Sequence, residues 1–145
     1  MKKTAIILSV GLLVLVTVAV AFAAGATGLL NTKWTGVLTI VTGPTGDGNV
    51  TTLTCDNATL TFTGQDGEFL AGTLENKCLA KAFKLDFTGI KDGRSLYLTA
   101  KDYLMSAEIF MGRPIKKGGR PHQNMMIRGS NVGDGTMFEG NLIKN

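Results

Sequence analysis

The sequence predicts an all-β protein, a single antiparallel meander of eight or nine strands that forms a closed or nearly closed up-and-down β-barrel. Three observations support this. Apolar and polar residues alternate with a period of two along most of the chain beyond residue 32, as in strands with one buried face. Asp-Gly pairs recur between these segments and favour tight hairpins. Thr and Gly are abundant, and no segment has the apolar spacing of a three-turn amphipathic helix.

The strands follow from the alternation and from the turn residues that bound it. The predicted strands cover residues 33–41, 50–55, 57–63, 69–75, 80–89, 95–101, 104–112, 123–130 and 136–143. Apolar faces that define six of them are Trp34/Leu38/Ile40, Ala58/Leu60/Phe62, Phe83/Leu85/Phe87, Leu96/Leu98/Ala100, Met105/Ala107/Ile109 and Phe138/Gly140/Leu142. A bend at Asp56-Asn57 would join the second and third segments into one strand, giving eight rather than nine.

A meander leaves two free edges unless its first and last strands pair. The connections are short and sequential, which favours a barrel over the alternative, a β-sandwich. Glycines inside strands suit the corners that a small barrel must turn. These are Gly36, Gly72, Gly89 and Gly140.

Trp34-Thr35-Gly36 near the start of the first strand, together with the late basic residue Arg128, resembles the lipocalin and avidin group of calycin-type barrels. In lipocalins a Trp on the first strand closes the barrel floor and a late Arg or Lys often covers it. The resemblance implies those roles for Trp34 and Arg128. The chain departs from the lipocalin pattern at Thr32, where that family has Gly. Because the match covers only these residues and the strand count, it implies an architecture and no ligand.

The first 23 residues have the organisation of a secretory signal peptide. Lys2 and Lys3 precede an apolar run from Ala5 to Ala24, and Ala21-Phe22-Ala23 fits a cleavage site. The run is also long enough for an uncleaved membrane anchor. Residues 24–32 would then form a short linker and residues 33–145 the β-domain. The short dibasic head is typical of bacteria, so we expect a periplasmic or extracellular protein, attached to the membrane only if the leader is retained.

Cys55 and Cys78 are the only cysteines. In an oxidising compartment two cysteines of one small domain usually pair, so we expect a disulfide. The leader carries two lysines and no acid, so the formal charge falls from +4 to +2 when it is removed. This near-neutral balance argues against a general nucleic-acid binder.

The most distinctive local feature of the β-domain is a basic stretch over residues 113–122. It contains Arg113, Lys116, Lys117, Arg120 and His122, and no acid occurs between Glu108 and Asp134. One interpretation is a solvated hairpin loop. The other is an anion-recognition loop, since Arg binds phosphate or carboxylate bidentately and the Gly118-Gly119 pair permits close backbone approach. Envelope lipids, acidic polysaccharides or proteins would supply the anion.

Catalytic and metal chemistry have little support. His122 is the only histidine, and no hydrolase, zinc-protease or phosphate-loop motif occurs. Asp86 and Glu108 fall opposite the apolar rows of their strands, so solvent is their expected destination. We therefore expect no enzyme, no cofactor and no metal. Copper binding is a minor alternative, because five methionines lie in the last third of the chain. They are Met105, Met111, Met125, Met126 and Met137.

The barrel interior is the remaining candidate site. An eight-stranded barrel either fills with its own side chains or holds one small ligand. The candidate floor or cavity residues are Trp34, Phe62, Phe69, Phe83, Phe87, Phe138 and Arg128. A filled interior is our preferred expectation.

The sequence thus predicts an exported, non-enzymatic binding or envelope accessory protein, which takes a small apolar ligand in the barrel or an anionic partner at residues 113–122. The alternative is a structural or adhesive protein that self-assembles through its strands. The oligomeric state is left open.

Overall fold

The computed structural model describes residues 28–43, 49–78, 82–112 and 121–145. The predicted leader (1–23) and residues 24–27 of the predicted linker lie outside these ranges. Within them, no helix has the length and apolar character needed to span a bilayer. The described residues form eight strands: β1 (Lys33–Thr42), β2 (Thr51–Asp66), β3 (Phe69–Asn76), β4 (Phe83–Asp92), β5 (Ser95–Ala100), β6 (Tyr103–Met111), β7 (Gln123–Asn131) and β8 (Met137–Lys144).

The eight strands form one closed antiparallel barrel in sequential order. β1 pairs with β2 on one side and with β8 on the other, over a register that runs from Trp34 opposite Lys144 to Val41 opposite Met137. Each strand therefore has two hydrogen-bonded neighbours, and none of the described strands is an edge. The prediction of an all-β up-and-down barrel is confirmed, and the β-sandwich alternative is wrong.

β2 decides between the two predicted strand counts, eight and nine, in favour of eight. The predicted strands 50–55 and 57–63 are one 16-residue strand. Gly36 lies opposite Ala58 and Leu38 lies opposite Cys55, so two residues of β2 face the single residue between them on β1. This β-bulge falls at Asp56-Asn57, the predicted bend. It keeps apolar residues facing inward on both sides of the irregularity.

The two ends of the barrel differ. We call one end the Trp34 end: it contains residues 28–32, the turns after β2 and β4, the start of β7 and the end of β8. The opposite end, the Phe83 end, contains the start of β4 and the turns after β5 and β7. The inward faces of the strands form one apolar core between these ends. Its strand residues are Trp34, Leu38, Ile40, Cys55, Ala58, Leu60, Phe62, Leu70, Leu74, Phe87, Leu96, Leu98, Ala100, Met105, Ala107, Met125, Ile127, Phe138 and Leu142.

Glycine permits the close approach of β1 and β8. A Cβ on Gly36 would fall on the backbone carbonyl oxygen of Asn141, and a Cβ on Gly140 would fall on that of Val37. The two glycines lie on adjacent strands, so each makes room for the backbone of the other strand. This tight coiling lets eight strands close around a core of ordinary side chains.

A disulfide joins Cys55 of β2 to Cys78, two residues beyond the end of β3. The Cα atoms are 5.3 Å apart, within the range that a disulfide can bridge without backbone movement. The pairing expected from the sequence is therefore present, and it is compatible with an oxidising compartment outside the cytoplasm. Cys55 is buried in the core, so the bond connects the interior to the connection between β3 and β4.

Replacing both cysteines (Cys55→Ala/Cys78→Ala) should lower the free energy of unfolding by about 3 kcal/mol, because the open chain gains conformational entropy when it unfolds. Urea unfolding followed by the fluorescence of Trp34 measures this. The wild-type protein in reductant is the matched control and should lose a similar amount. Equal stability of the variant and the oxidised wild type would contradict the prediction.

Gly36→Ala should cost about 2–3 kcal/mol, because the new methyl group overlaps the backbone of β8 and the seam must open to accept it. Gly64→Ala is the control, since a Cβ there meets only the Cβ of Ala71 at 3.4 Å and should change stability by less than about 1 kcal/mol. The denaturant midpoints of the two variants, compared with that of the wild-type protein, measure both changes in stability. Similar losses of stability in the two variants would show that barrel closure does not depend on Gly36.

Candidate functional site

The floor of the barrel is filled and covered. Trp34 is fully buried, and its indole N–H donates to the Thr32 hydroxyl at 3.1 Å. That hydroxyl donates in turn to the Leu29 carbonyl at 2.6 Å, while the Leu29 amide donates to Gln65 Oε1 at 2.7 Å. Residues 29–32 therefore cover the Trp34 end, and Thr32 supplies the acceptor that a buried indole requires.

The basic residue over Trp34 is Lys144 and not Arg128. Lys144 Nζ lies 5.9 Å from the centroid of the indole ring, within the range of a cation–π contact. Arg128 lies on the outer face, where its Nε is 3.5 Å from Glu139 Oε2 and both side chains are 64% exposed. Arg128 faces outward because successive side chains of a strand point to opposite faces, and the preceding residue, Ile127, faces the core. This placement corrects the expectation that Arg128 lies at the floor or in a cavity.

Besides Trp34, the predicted floor or cavity residues include five phenylalanines, which form two pairs inside the barrel and one exposed ring. Phe62 and Phe87 are buried in the barrel with their rings edge to face at 5.6 Å. Phe83 and Phe138 lie toward the other end of the barrel with ring centroids 6.0 Å apart, and each also contacts the ring of Tyr103. These rings occupy the interior that a ligand would need.

The remaining aromatic residue, Phe69, lies outside the barrel. Phe69 is 66% exposed, because it is on the outer face of β3 opposite Ile90. It cannot line a cavity inside the barrel.

A polar notch lies at the Trp34 end where β6 stops and β7 begins. The Gly112 amide donates to the His122 carbonyl at 2.7 Å. A Cβ on Gly112 would be 2.5 Å from Asn124 Nδ2 and 2.7 Å from His122 Nε2, so both side chains converge on the space above this glycine. Among the described residues, His122 Nδ1 and Asn124 Oδ1 are buried and have no hydrogen-bond partner. Leaving such atoms unpaired costs about 1–3 kcal/mol each.

The notch contains one of the five residues predicted to bind an anion, His122. Residues 113–120, which carry the other four, lie outside the described residues. The sequence nevertheless requires that Arg113 directly follows Gly112 and that Arg120 is two residues before His122. Sequence reasoning missed Asn124, because an amide at the start of a strand has no distinctive pattern.

Neither the candidate carboxylates nor the methionines form a cluster. Asp86 and Glu108 are exposed on the outer wall. Met105 and Met125 face the core, whereas Met126 and Met137 face outward. In the part of the chain that the structure describes, no three His, Cys, Asp or Glu side chains are grouped as a metal site would need.

Two apolar grooves cross the outer wall. The first, which we call the Ser130 groove, has a volume of about 510 Å³ and lies across β1, β6, β7 and β8. The second, the Ile90 groove, measures about 680 Å³ and lies across β3 to β6. Leu104 lines both. Neither groove can be recognised from the alternation pattern, because both depend on which outward residues of neighbouring strands are small and which are large.

No known protein identifies the chain: no family model, no curated protein and no solved structure matches it. The eight-stranded antiparallel barrel is consistent with a calycin-like architecture, and the likeness extends no further than that.

Thr32→Val should destabilise the protein by about 1–3 kcal/mol, because it leaves the buried Trp34 N–H without an acceptor. Thr32→Ser retains the hydroxyl and should cost well under half as much. Denaturant unfolding monitored by the fluorescence of Trp34, the only tryptophan, reports both stability and the environment of the ring. Equal losses of stability in the two variants would contradict the prediction, because they would show that the hydroxyl of Thr32 contributes no more than its methyl group.

Proposed function

We propose that this chain is an exported, non-enzymatic binding protein of the cell envelope that recognises phosphate or carboxylate groups of an anionic partner at the Trp34 end of the barrel. The observation that carries the proposal is the notch formed by Gly112, His122 and Asn124. It holds two buried polar atoms that have no hydrogen-bond partner among the described residues, and the adjoining sequence holds four cations. Periplasm or the cell exterior is the proposed location, in agreement with the disulfide.

The chemistry of the notch suits an oxyanion. An imidazole presents an N–H donor at whichever ring nitrogen carries the proton, and at both nitrogens when it is charged. Rotation of the Asn124 amide by half a turn exchanges its oxygen for an NH₂ donor. Because Gly112 has no side chain, the imidazole of His122 and the amide of Asn124 lie against its Cα. Two donors in a recess can therefore hold one oxyanion, while arginine and lysine side chains from residues 113–120 neutralise its charge.

The other functions expected from the sequence have less support. A small apolar ligand inside the barrel would have to displace the buried rings of Phe62, Phe87 and Phe138. Self-assembly through strand edges would require the barrel to open, since the described strands are all paired on both sides. Copper would need methionines that converge. Nucleic acid is disfavoured because no aromatic residue is interleaved with the cations.

Substitution of the loop cations (Lys116→Gln/Lys117→Gln/Arg120→Gln) should weaken binding to phosphatidylcholine vesicles that contain phosphatidylglycerol by roughly 100-fold, since each cation near an anionic surface contributes about 1 kcal/mol. Co-sedimentation at low and high salt measures this. The control Lys77→Gln/Lys84→Gln/Lys101→Gln removes the same charge from the Phe83 end. Equal effects of the two triple variants would mean that net charge alone drives binding, and an unchanged affinity would exclude the loop.

A second measurement tests the notch itself. The imidazole of His122, the only one in the chain, should show shifted NMR signals when inorganic phosphate is added, and Asn124→Asp should abolish the shift by placing a negative charge beside the site. A spectrum that phosphate leaves unchanged would remove the notch from the proposal, even if vesicle binding through the loop persisted.

A further inference from the structure

The Ser130 groove has apolar walls and a floor of small residues. Leu104 of β6 and Met137 of β8 both lie directly opposite Ser130 of β7. They form the two walls, and they are 58% and 53% exposed. Gly129 and Ser130 form the floor between them. Each wall is thus a ridge made by one large side chain, beside a trough lined by the small residues Gly129 and Ser130.

An ion pair lies beside this groove. Arg128 and Glu139 face each other across β7 and β8, two residues along from Ser130 and Met137 and therefore on the same face, and both line the groove. Among the described residues, they are the only charged ones that line it. Because both are well exposed, their attraction within one chain contributes little to its stability. Both charges remain available to a surface that approaches the groove.

We propose that the Ser130 groove is the docking site for a second copy of this chain in a two-fold symmetric dimer. In such an interface the same surface meets itself, so it must contain both members of every complementary pair. The Ser130 groove contains both members of two such pairs. It has apolar ridges and a trough that can accept a ridge, and it has a cation, Arg128, beside an anion, Glu139. Rotation by a half turn brings Arg128 of each copy to Glu139 of the other and places the Leu104 or Met137 ridge in the opposite trough.

The exposed apolar surface agrees with this occupant. Leu104, Met137 and Tyr97, which lies diagonally across from Leu104 on β5, are each more than half exposed. Tyr97 does not line the Ser130 groove, but it extends the apolar surface beyond it. Stable interfaces bury about 800 Å² on each partner, which is more than these three side chains provide, so a dimer at this surface would be weak and would also bury the polar side chains around them. The inference concerns a different surface from the notch and does not depend on the proposed function.

Sedimentation velocity over a range of concentrations tests the dimer. The wild-type protein should dimerise with a Kd in roughly the micromolar range, and Leu104→Asp should raise that Kd by at least ten-fold. Val50→Asp is the matched control, because Val50 has the same 58% exposure and lies outside the groove; it should leave the Kd unchanged. A wild-type protein that stays monomeric at millimolar concentration, or equal effects of the two variants, would overturn the proposal.

A charge exchange provides a test that does not depend on stability. Arg128→Glu should prevent self-association by placing two acids opposite each other, and Glu139→Arg should do so with two bases. Mixed in equal amounts, the R128E and E139R chains should form a heterodimer, since every cross-contact then joins opposite charges. Failure of this mixture to associate, in a wild-type background that does dimerise, would place the dimer interface elsewhere and overturn the assignment to this groove.

Discussion

The seam between β1 and β8 is the constraint on which the rest of the structure depends. The two strands approach closely because Gly36 and Gly140 leave no side chain between their backbones. Closure pairs the two strands that would otherwise present free backbone groups to solvent or to other chains. It also encloses the inward residues on all sides, so that Trp34 and Phe62 lie in a fully buried core.

A filled interior moves the candidate functions to surfaces that the core supports. The Trp34 end is covered by residues 29–32, whose hydrogen bonds pair the indole N–H and the Leu29 amide. The Cys55–Cys78 bond joins β2 to the connection that follows β3. With the core thus occupied, the described surfaces that our two proposals assign to recognition are the rim beside His122 and the outer wall around Ser130. The two differ in chemistry: the rim presents polar atoms and adjoins a basic segment, whereas the wall is apolar with one balanced ion pair.

Period-two alternation correctly predicted which of the large aromatic side chains point inward. The lipocalin resemblance did not correctly predict the position of Arg128. Trp34, Phe62, Phe87 and Phe138 are all buried, as their alternation predicts. Arg128 follows the same rule, since it stands next to the inward residue Ile127, and its expected position at the floor came only from the lipocalin resemblance. Lys144 took the place over the indole because it lies directly opposite Trp34 on the closing strand, a pairing that exists only once the barrel has closed.

By itself the sequence determined the strand class, the hairpin order, the inward faces and the cysteine pair. Alternation and Asp-Gly turns are local signals that act over a few residues, and two cysteines can pair in only one way. The bend at Asp56-Asn57 was visible in the same way, and it left a choice between eight and nine strands that the structure settles at eight. Only the tertiary structure decided that the barrel is closed, which cation covers Trp34, and that Gly112, His122 and Asn124 form a notch. These features depend on the register between strands that are distant in sequence, and register is set by the packing of the whole core.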